Sequence, residues 1–171
     1  RATLTAATSG TTIRYTLNGS KPTATGGKVY AGPIAIDTTT TVRAAAFKSG
    51  LRASNVDTHT YLFAEDIIRQ PAKPNGFPTT WNGHPADYEM DPEVVNDRNY
   101  KGRVASALKS IPSLSLVLNR DDFFKTGQGI YPKSEGVEKA TSVELIYPKT
   151  QESKQADGSV QIVGAAAPVA G

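Results

Sequence analysis

The chain has 171 residues, 38% of them hydrophobic, with 19 Lys and Arg against 16 Asp and Glu, two histidines and no cysteine. This length bounds it to one ordinary domain or two small ones, and no run approaches the roughly 18 consecutive apolar residues of a membrane span. A disulfide scaffold and a thiolate metal site are excluded, and His59 and His84 are too few for a histidine-rich one.

Charge and threonine divide the chain in two. Residues 1–63 hold 7 Lys/Arg and 2 Asp/Glu, the remainder 12 and 14, and 14 of the 19 threonines lie in the first 63 residues. Threonine favours half-buried strands. Between the halves, Gln70-Pro71-Ala72-Lys73-Pro74-Asn75-Gly76 joins two prolines to a turn pair and sustains neither helix nor central strand. The expected organisation is a first unit at 1–63, a linker at 64–76 and a second segment at 77–171. The start, Arg1-Ala-Thr-Leu-Thr, is neither an initiator Met nor a signal peptide, which leads us to expect a piece of a longer protein.

In the first unit, short runs rich in Thr, Val, Ile and Tyr alternate with turn residues, the pattern of an antiparallel sandwich with almost no helix. Thr12 to Leu17 places Ile13, Tyr15 and Leu17 on one face and Arg14 and Thr16 on the other. Asn18-Gly19 is expected to supply a tight hairpin turn. Further strands are expected over Val29 to Ile36, interrupted at Gly32-Pro33, then Thr39 to Phe47 and Val56 to Phe63, for five to seven in all.

The blocks Ile13-Arg14-Tyr15-Thr16-Leu17-Asn18-Gly19-Ser20-Lys21-Pro22-Thr23, Tyr30-Ala31-Gly32-Pro33-Ile34, Thr40-Thr41-Val42-Arg43-Ala44-Ala45-Ala46-Phe47 and Thr58-His59-Thr60-Tyr61-Leu62 resemble the chitobiase/β-hexosaminidase C-terminal type domain, a small fibronectin-III-like sandwich. Family members usually carry Asp at the place of Asn18. The resemblance implies a non-catalytic accessory module found beside catalytic domains in secreted bacterial proteins. Asn18-Gly19-Ser20 satisfies the N-glycosylation sequon, but the turn reading takes precedence. Arg14, Arg43, Lys48 and Arg52 are candidates for a basic face that meets an anionic polymer, with a solvated sheet face as the plainer reading. No aromatic ladder accompanies them, which argues against nucleic acid.

The second segment reads as α+β. Ala64 to Gln70 is one helical turn or the end of the last strand. Gly76 to Val95 carries the only Trp and the only Met with three prolines, and reads as an ordered loop anchored by aromatics. Asp91-Pro92-Glu93 predicts a helix start, with Asp91 as the cap. Val104, Ala105, Leu108 and Ile111 form a helical stripe stopped by Pro112. Leu114, Leu116 and Leu118 alternate with Ser113, Ser115 and Val117 and predict a strand with a buried face. Asn119 to Asp122 is expected to cap a turn holding Phe123 and Phe124. Thr141 to Tyr147 is the next strand, and Asp157-Gly158 is expected to separate it from another at Val160 to Val163.

Phe77-Pro78, Trp81, Ala86 to Val95, Ala107 to Val117, Gly129-Ile130-Tyr131 and Ser142 to Ile146 resemble the opening part of the spore-coat-protein-H (CotH) kinase-like region, which in large secreted bacterial proteins often follows a chitobiase-type module. The resemblance fades after Tyr147, and the end of the chain, Gly164 to Gly171, is rich in Ala, Gly and Pro. It implies that any phosphotransfer core would lie beyond residue 171.

No complete catalytic set is legible. Gly127-Gln128-Gly129 lacks a third glycine and a Gly-Lys-Ser/Thr, so it is neither a dinucleotide fingerprint nor a P-loop. Asp121-Asp122 lacks calcium-loop spacing and reads as a helix cap, and Asp87, Glu89, Asp91 and Glu93 read as solvated or capping acids. Trp81 with Tyr88 is the candidate sugar-stacking platform, weighed against a buried anchor.

The sequence therefore predicts a mainly β chain, a fibronectin-III-like antiparallel β-sandwich followed by a smaller α+β segment, with no catalytic residues, cofactor or metal. It is read as a non-catalytic structural or interaction portion of an extracellular or cell-surface bacterial protein. A carbohydrate-binding module and the front of a CotH-type kinase are the alternatives. Expected partners are other domains of the same protein, copies of itself through strand edges, and polysaccharide; candidate contacts are Trp81, Tyr88, Arg14 and Arg43.

Overall fold

A computed structural model of the chain describes residues 1–81, 83–132 and 136–163. The Ala/Gly/Pro-rich ending lies outside them.

The chain is mainly β, with antiparallel sheets and short helices. In the first unit, β1 (Thr12–Thr16), β2 (Lys28–Val29), β3 (Thr40–Phe47) and β4 (Asp57–Tyr61) form one sheet in the order β2-β1-β3-β4. The register sets Tyr15 opposite Ala44 and Ile13 opposite Ala46, so the apolar residues of β1 and β3 share a face. That face is covered by the chain on either side of β1. Ala2 and Ile34 exchange two backbone hydrogen bonds of 2.8 and 2.9 Å, and with Val42 they form a core packed by Leu4, Tyr15, Tyr30, Ile36 and Tyr61.

Four strands form here among the described residues, against the expected five to seven. Only Lys28–Val29 of the run to Ile36 joins the ladder. Pro33 lacks an N–H to donate, and the segment beyond it crosses over the sheet as its second layer. The hairpin expected at Asn18-Gly19 is also absent, since β2 arrives ten residues later. Gly19 has φ +78° but Asn18 stays out of the left-handed region; its Oδ1 accepts from the Ser20 N–H at 3.2 Å and from the Ser20 hydroxyl at 2.7 Å. A Cβ on Gly19 would lie 3.3 Å from the Leu118 carbonyl, so this loop already touches the second segment.

Beyond Tyr61 come α1 (Ala64–Ile68), a small ladder of β5 (Thr80–Trp81) and β6 (His84–Pro85), α2 (Pro92–Val95), α3 (Val104–Leu108), β7 (Ser113–Val117), α4 (Arg120–Phe124), β8 (Glu138–Tyr147) and β9 (Glu152–Gln161). Asp91 caps α2, its Oδ1 accepting the Glu93 N–H at 2.8 Å. The stretch 64–70 is the helical alternative. The stripe expected up to Ile111 ends at Leu108, leaving Ile111 exposed. Asn119 makes no side-chain cap on α4; its amide donates to Asp122 instead.

Strands β7, β8 and β9 form an antiparallel sheet in that order. Asp157-Gly158 is not a turn: it lies inside β9, opposite Ser142 and Thr141. The reversal occurs after Tyr147, whose carbonyl accepts the Gln151 N–H at 2.9 Å, with Gln151 at φ +58°. Pro148, unable to donate to a ladder, marks the end of β8.

The second sheet is inverted relative to the pattern of its leucines. Leu114 and Leu116 are 63% and 42% exposed, whereas Ser115 is half-buried and Val117 buried. The register groups Ser115, Val117, Ser142 and Glu144 on one face, and Ser142 and Glu144 are fully buried. β4 of the first sheet lies against β8 and β9. Burial of the serine face is tolerated because Ser115 and Glu144 find hydrogen-bond partners on Thr60.

Candidate functional site

The two units meet at a polar seam. Glu144 stands mid-strand on β8, opposite Ser115 on β7 and Gln155 on β9. Its side chain projects onto β4, an edge strand whose outward N–H groups have no ladder partner. Oε2 accepts the Thr60 N–H at 2.6 Å, and the Thr60 hydroxyl lies 2.8 Å from the Ser115 hydroxyl. Oε1 lies 3.4 Å from His59 Nδ1, an ion-pair distance at which the hydrogen-bond alignment is poor. Burying a carboxylate is expensive without compensation, and here one charge-assisted hydrogen bond and a neighbouring imidazole provide it.

The titration of the pair reflects this arrangement. Burial pushes the Glu144 carboxyl up, but His59, Ser153 and Thr60 together outweigh it and hold the group below its usual range. The His59 imidazole is raised, chiefly by Glu144, against the opposing effect of burial and with Asp57 adding to it. The His59 side chain is 63% exposed, so solvent protons reach it while its partner stays buried.

The pair borders a cleft of about 610 Å³ where β4, α1, α3 and β8 converge, walled by Tyr61, Ile67, Leu108 and Tyr147. The mixture is mostly apolar with a few polar groups, as in small-ligand clefts generally. Its chemical repertoire is a proton exchanged at His59 beside a fixed carboxylate.

Arg43 also lies in the seam. It is 2% exposed, and its Nη1 donates to the Gly19 carbonyl at 2.9 Å. Burial lowers its pKa, with Asp157 across the seam opposing. The register sets Arg43 opposite Thr16, on the same face as Arg14, whose Nη1 donates to the Gly27 carbonyl at 3.1 Å. A solvated basic face through Arg43 therefore does not form, because the second sheet covers it.

Trp81 and Tyr88 are brought together away from this cleft. Their rings meet edge to face at 5.1 Å, the indole N–H donates to the Tyr88 hydroxyl at 3.1 Å, and that hydroxyl donates to the Pro78 carbonyl at 3.0 Å. Trp81 stacks on Tyr131 at 5.0 Å and 25°, and Phe77, Phe123 and Phe124 complete the cluster. Gln70 donates to the Tyr88 carbonyl, tying the proline stretch to the same loop. The cluster fastens Phe77, Trp81 of the short β5–β6 ladder and Tyr88 onto α4, which is the geometry of an anchor. Asp121 and Asp122, read from sequence as a helix cap, lie in the first turn of α4 without a side-chain cap hydrogen bond, and Asp122 pairs with Lys139 at 3.5 Å. No group of three or more His, Asp or Glu able to hold a metal occurs among the described residues.

Sequence reasoning singled out neither Glu144 nor its pairing with His59. A signal was present: a carboxylate set between Val143 and Leu145 in a strand interior. Its hydrogen-bond partner Thr60, however, is 84 residues away, and His59 stands next to it. A family model described as "Fn3 associated" matches residues 2–61, which supports a fibronectin-III-associated domain over the first unit. No curated protein and no solved structure matches the chain.

Proposed function

We propose that this chain is a non-catalytic structural and interaction portion of a secreted or cell-surface bacterial protein, with the Fn3-associated unit serving as an accessory module for the domains that accompany it. The observation that carries the reading is the seam. The module's edge strand, through Thr60 and His59, is engaged by Glu144 and Ser115 of the second sheet, so the polar groups of that edge are spent on joining the neighbouring segment. The finer reading of the second segment, as the opening part of a CotH kinase-like region, rests on the order and spacing of the sequence blocks from Phe77 to Ile146. The location rests on the same two resemblances.

The test is enzymatic. The purified chain is incubated with Mg²⁺ and γ-labelled ATP, and separately with chromogenic glycosides. The expected result is neither self-labelling nor turnover above a boiled control, and sustained turnover or stoichiometric labelling would overturn the reading.

A further inference from the structure

We propose that Glu144 and His59 form a pH-responsive clasp between the two units, closed when His59 is protonated and loosened when it is neutral. The clasp stands independently of the accessory role.

Glu144 is fully buried, and its charge is balanced from the opposite unit by the Thr60 N–H at 2.6 Å and His59 Nδ1 at 3.4 Å. Of these, only His59 changes charge near neutrality. When it loses its proton, the carboxylate keeps its hydrogen bond from Thr60 but loses the one compensating full charge beside it. Because the carboxylate is buried, that loss weighs more on it than on an exposed pair, while solvent at the open imidazole partly screens the attraction. The exposed imidazole exchanges protons freely, so the seam reads bulk pH without having to open first.

The surrounding charges are of both signs, and the nearest one acting on His59 favours protonation whereas the cations that line the grooves oppose it. Asp57, two residues before His59 on β4, is a second carboxylate acting on it and supports the protonated form. Lys109, following α3, and Tyr61 and Tyr147 line the cleft beside the pair. Lys48 and Arg52 border the neighbouring groove that His59 shares with Asp57.

The His59 pKa in the folded chain is raised above its usual 6.5, so its contribution is complete below 6.5 and lost as pH rises through the raised value. The Glu144 pKa is lowered from 4.5, so its contribution is present above 4.5 and lost as pH falls through the lowered value. The clasp is therefore closed in mildly acidic solution and loosens as pH rises through the raised His59 value. Because β4, α1, α3 and β8 bound the cleft together, loosening releases the wall that β4 contributes.

The experiment uses the full chain carrying His84→Asn, which leaves one imidazole to observe. Its NMR titration is expected to give a His59 midpoint above 6.5 that moves back toward 6.5 in Glu144→Gln. In parallel, the protection factor of the Thr60 amide, corrected for intrinsic exchange, is expected to fall between pH 6 and pH 8.5 and to be flat over that range in His59→Gln. A His59 midpoint at or below 6.5, or a Thr60 protection factor equal at the two pH values, would overturn the clasp. Both decisive readings come from the chain with Glu144 and His59 intact, so a poorly folding variant does not leave the question open.

Discussion

The two sheets bury opposite kinds of surface. In the first unit the apolar face of β1 and β3 is covered by Ala2, Ile34 and their neighbours, and the polar face bearing Arg43 turns toward the rest of the molecule. In the second, the serine and glutamate face of β7 and β8 is buried, while Leu114 and Leu116 face solvent. The first sheet is organised by its own hydrophobic core, whereas the second is oriented by what it docks against. A strand's alternation creates two distinct faces, and burial goes to the one with the better-matched partner.

The largest effect that would sharpen this contrast is Glu144→Ala. It leaves the Thr60 N–H unpaired in the seam and removes a packed side chain, and is expected to lower stability by about 3 kcal/mol in urea unfolding followed by circular dichroism. A loss below about 1 kcal/mol would show that the seam does not depend on the carboxylate. Ile34→Ala tests the other side of the comparison. As a truncation in the apolar core it is expected to remove about 2 to 3 kcal/mol, with little effect on the His59 titration. Asp91→Ala, which deletes the cap of α2 away from both the core and the seam, is expected to cost about 1 kcal/mol. The smallest effect belongs to Leu114→Thr. On an exposed, strand-compatible position it should change stability by no more than about 0.5 kcal/mol, and a loss of about 2 kcal/mol or more by the same measurement would mean that the leucine face is buried after all.

Much of the framework was legible from local chemistry. The alternation of Thr12 to Leu17, the β-branched run at Thr40, the cap at Asp91 and the strand through Val143 each follow from periodicity or turn preference over a few residues. The misreadings share one cause. Asn18-Gly19 and Asp157-Gly158 carry hairpin-turn composition, yet Asn18 is bridged to Thr41 of β3 and Asp157-Gly158 is held in β9 by ten register pairs with β8. Tertiary pairing overrode a local preference worth less than the ladder it would have broken.

The candidate site was less legible for a related reason. Trp81 and Tyr88 could be selected as large side chains in an irregular stretch, but that Tyr131 and Phe124 would stack against the indole depends on where α4 lands. Arg43 looked like one of several surface cations until the second sheet was placed over it.

By itself, the sequence determined the strands through Thr12–Thr16, Thr40–Phe47, Asp57–Tyr61 and Ser113–Val117, the two faces of each, and that the first 63 residues are a threonine-rich β segment distinct in composition from the remainder of the chain. Only the tertiary structure decided which face of β7 and β8 is buried, and that Glu144 reaches Thr60 and His59. The physical reason is that periodicity is a property of adjacent residues, whereas compensation of a buried charge requires partners that folding brings from far along the chain.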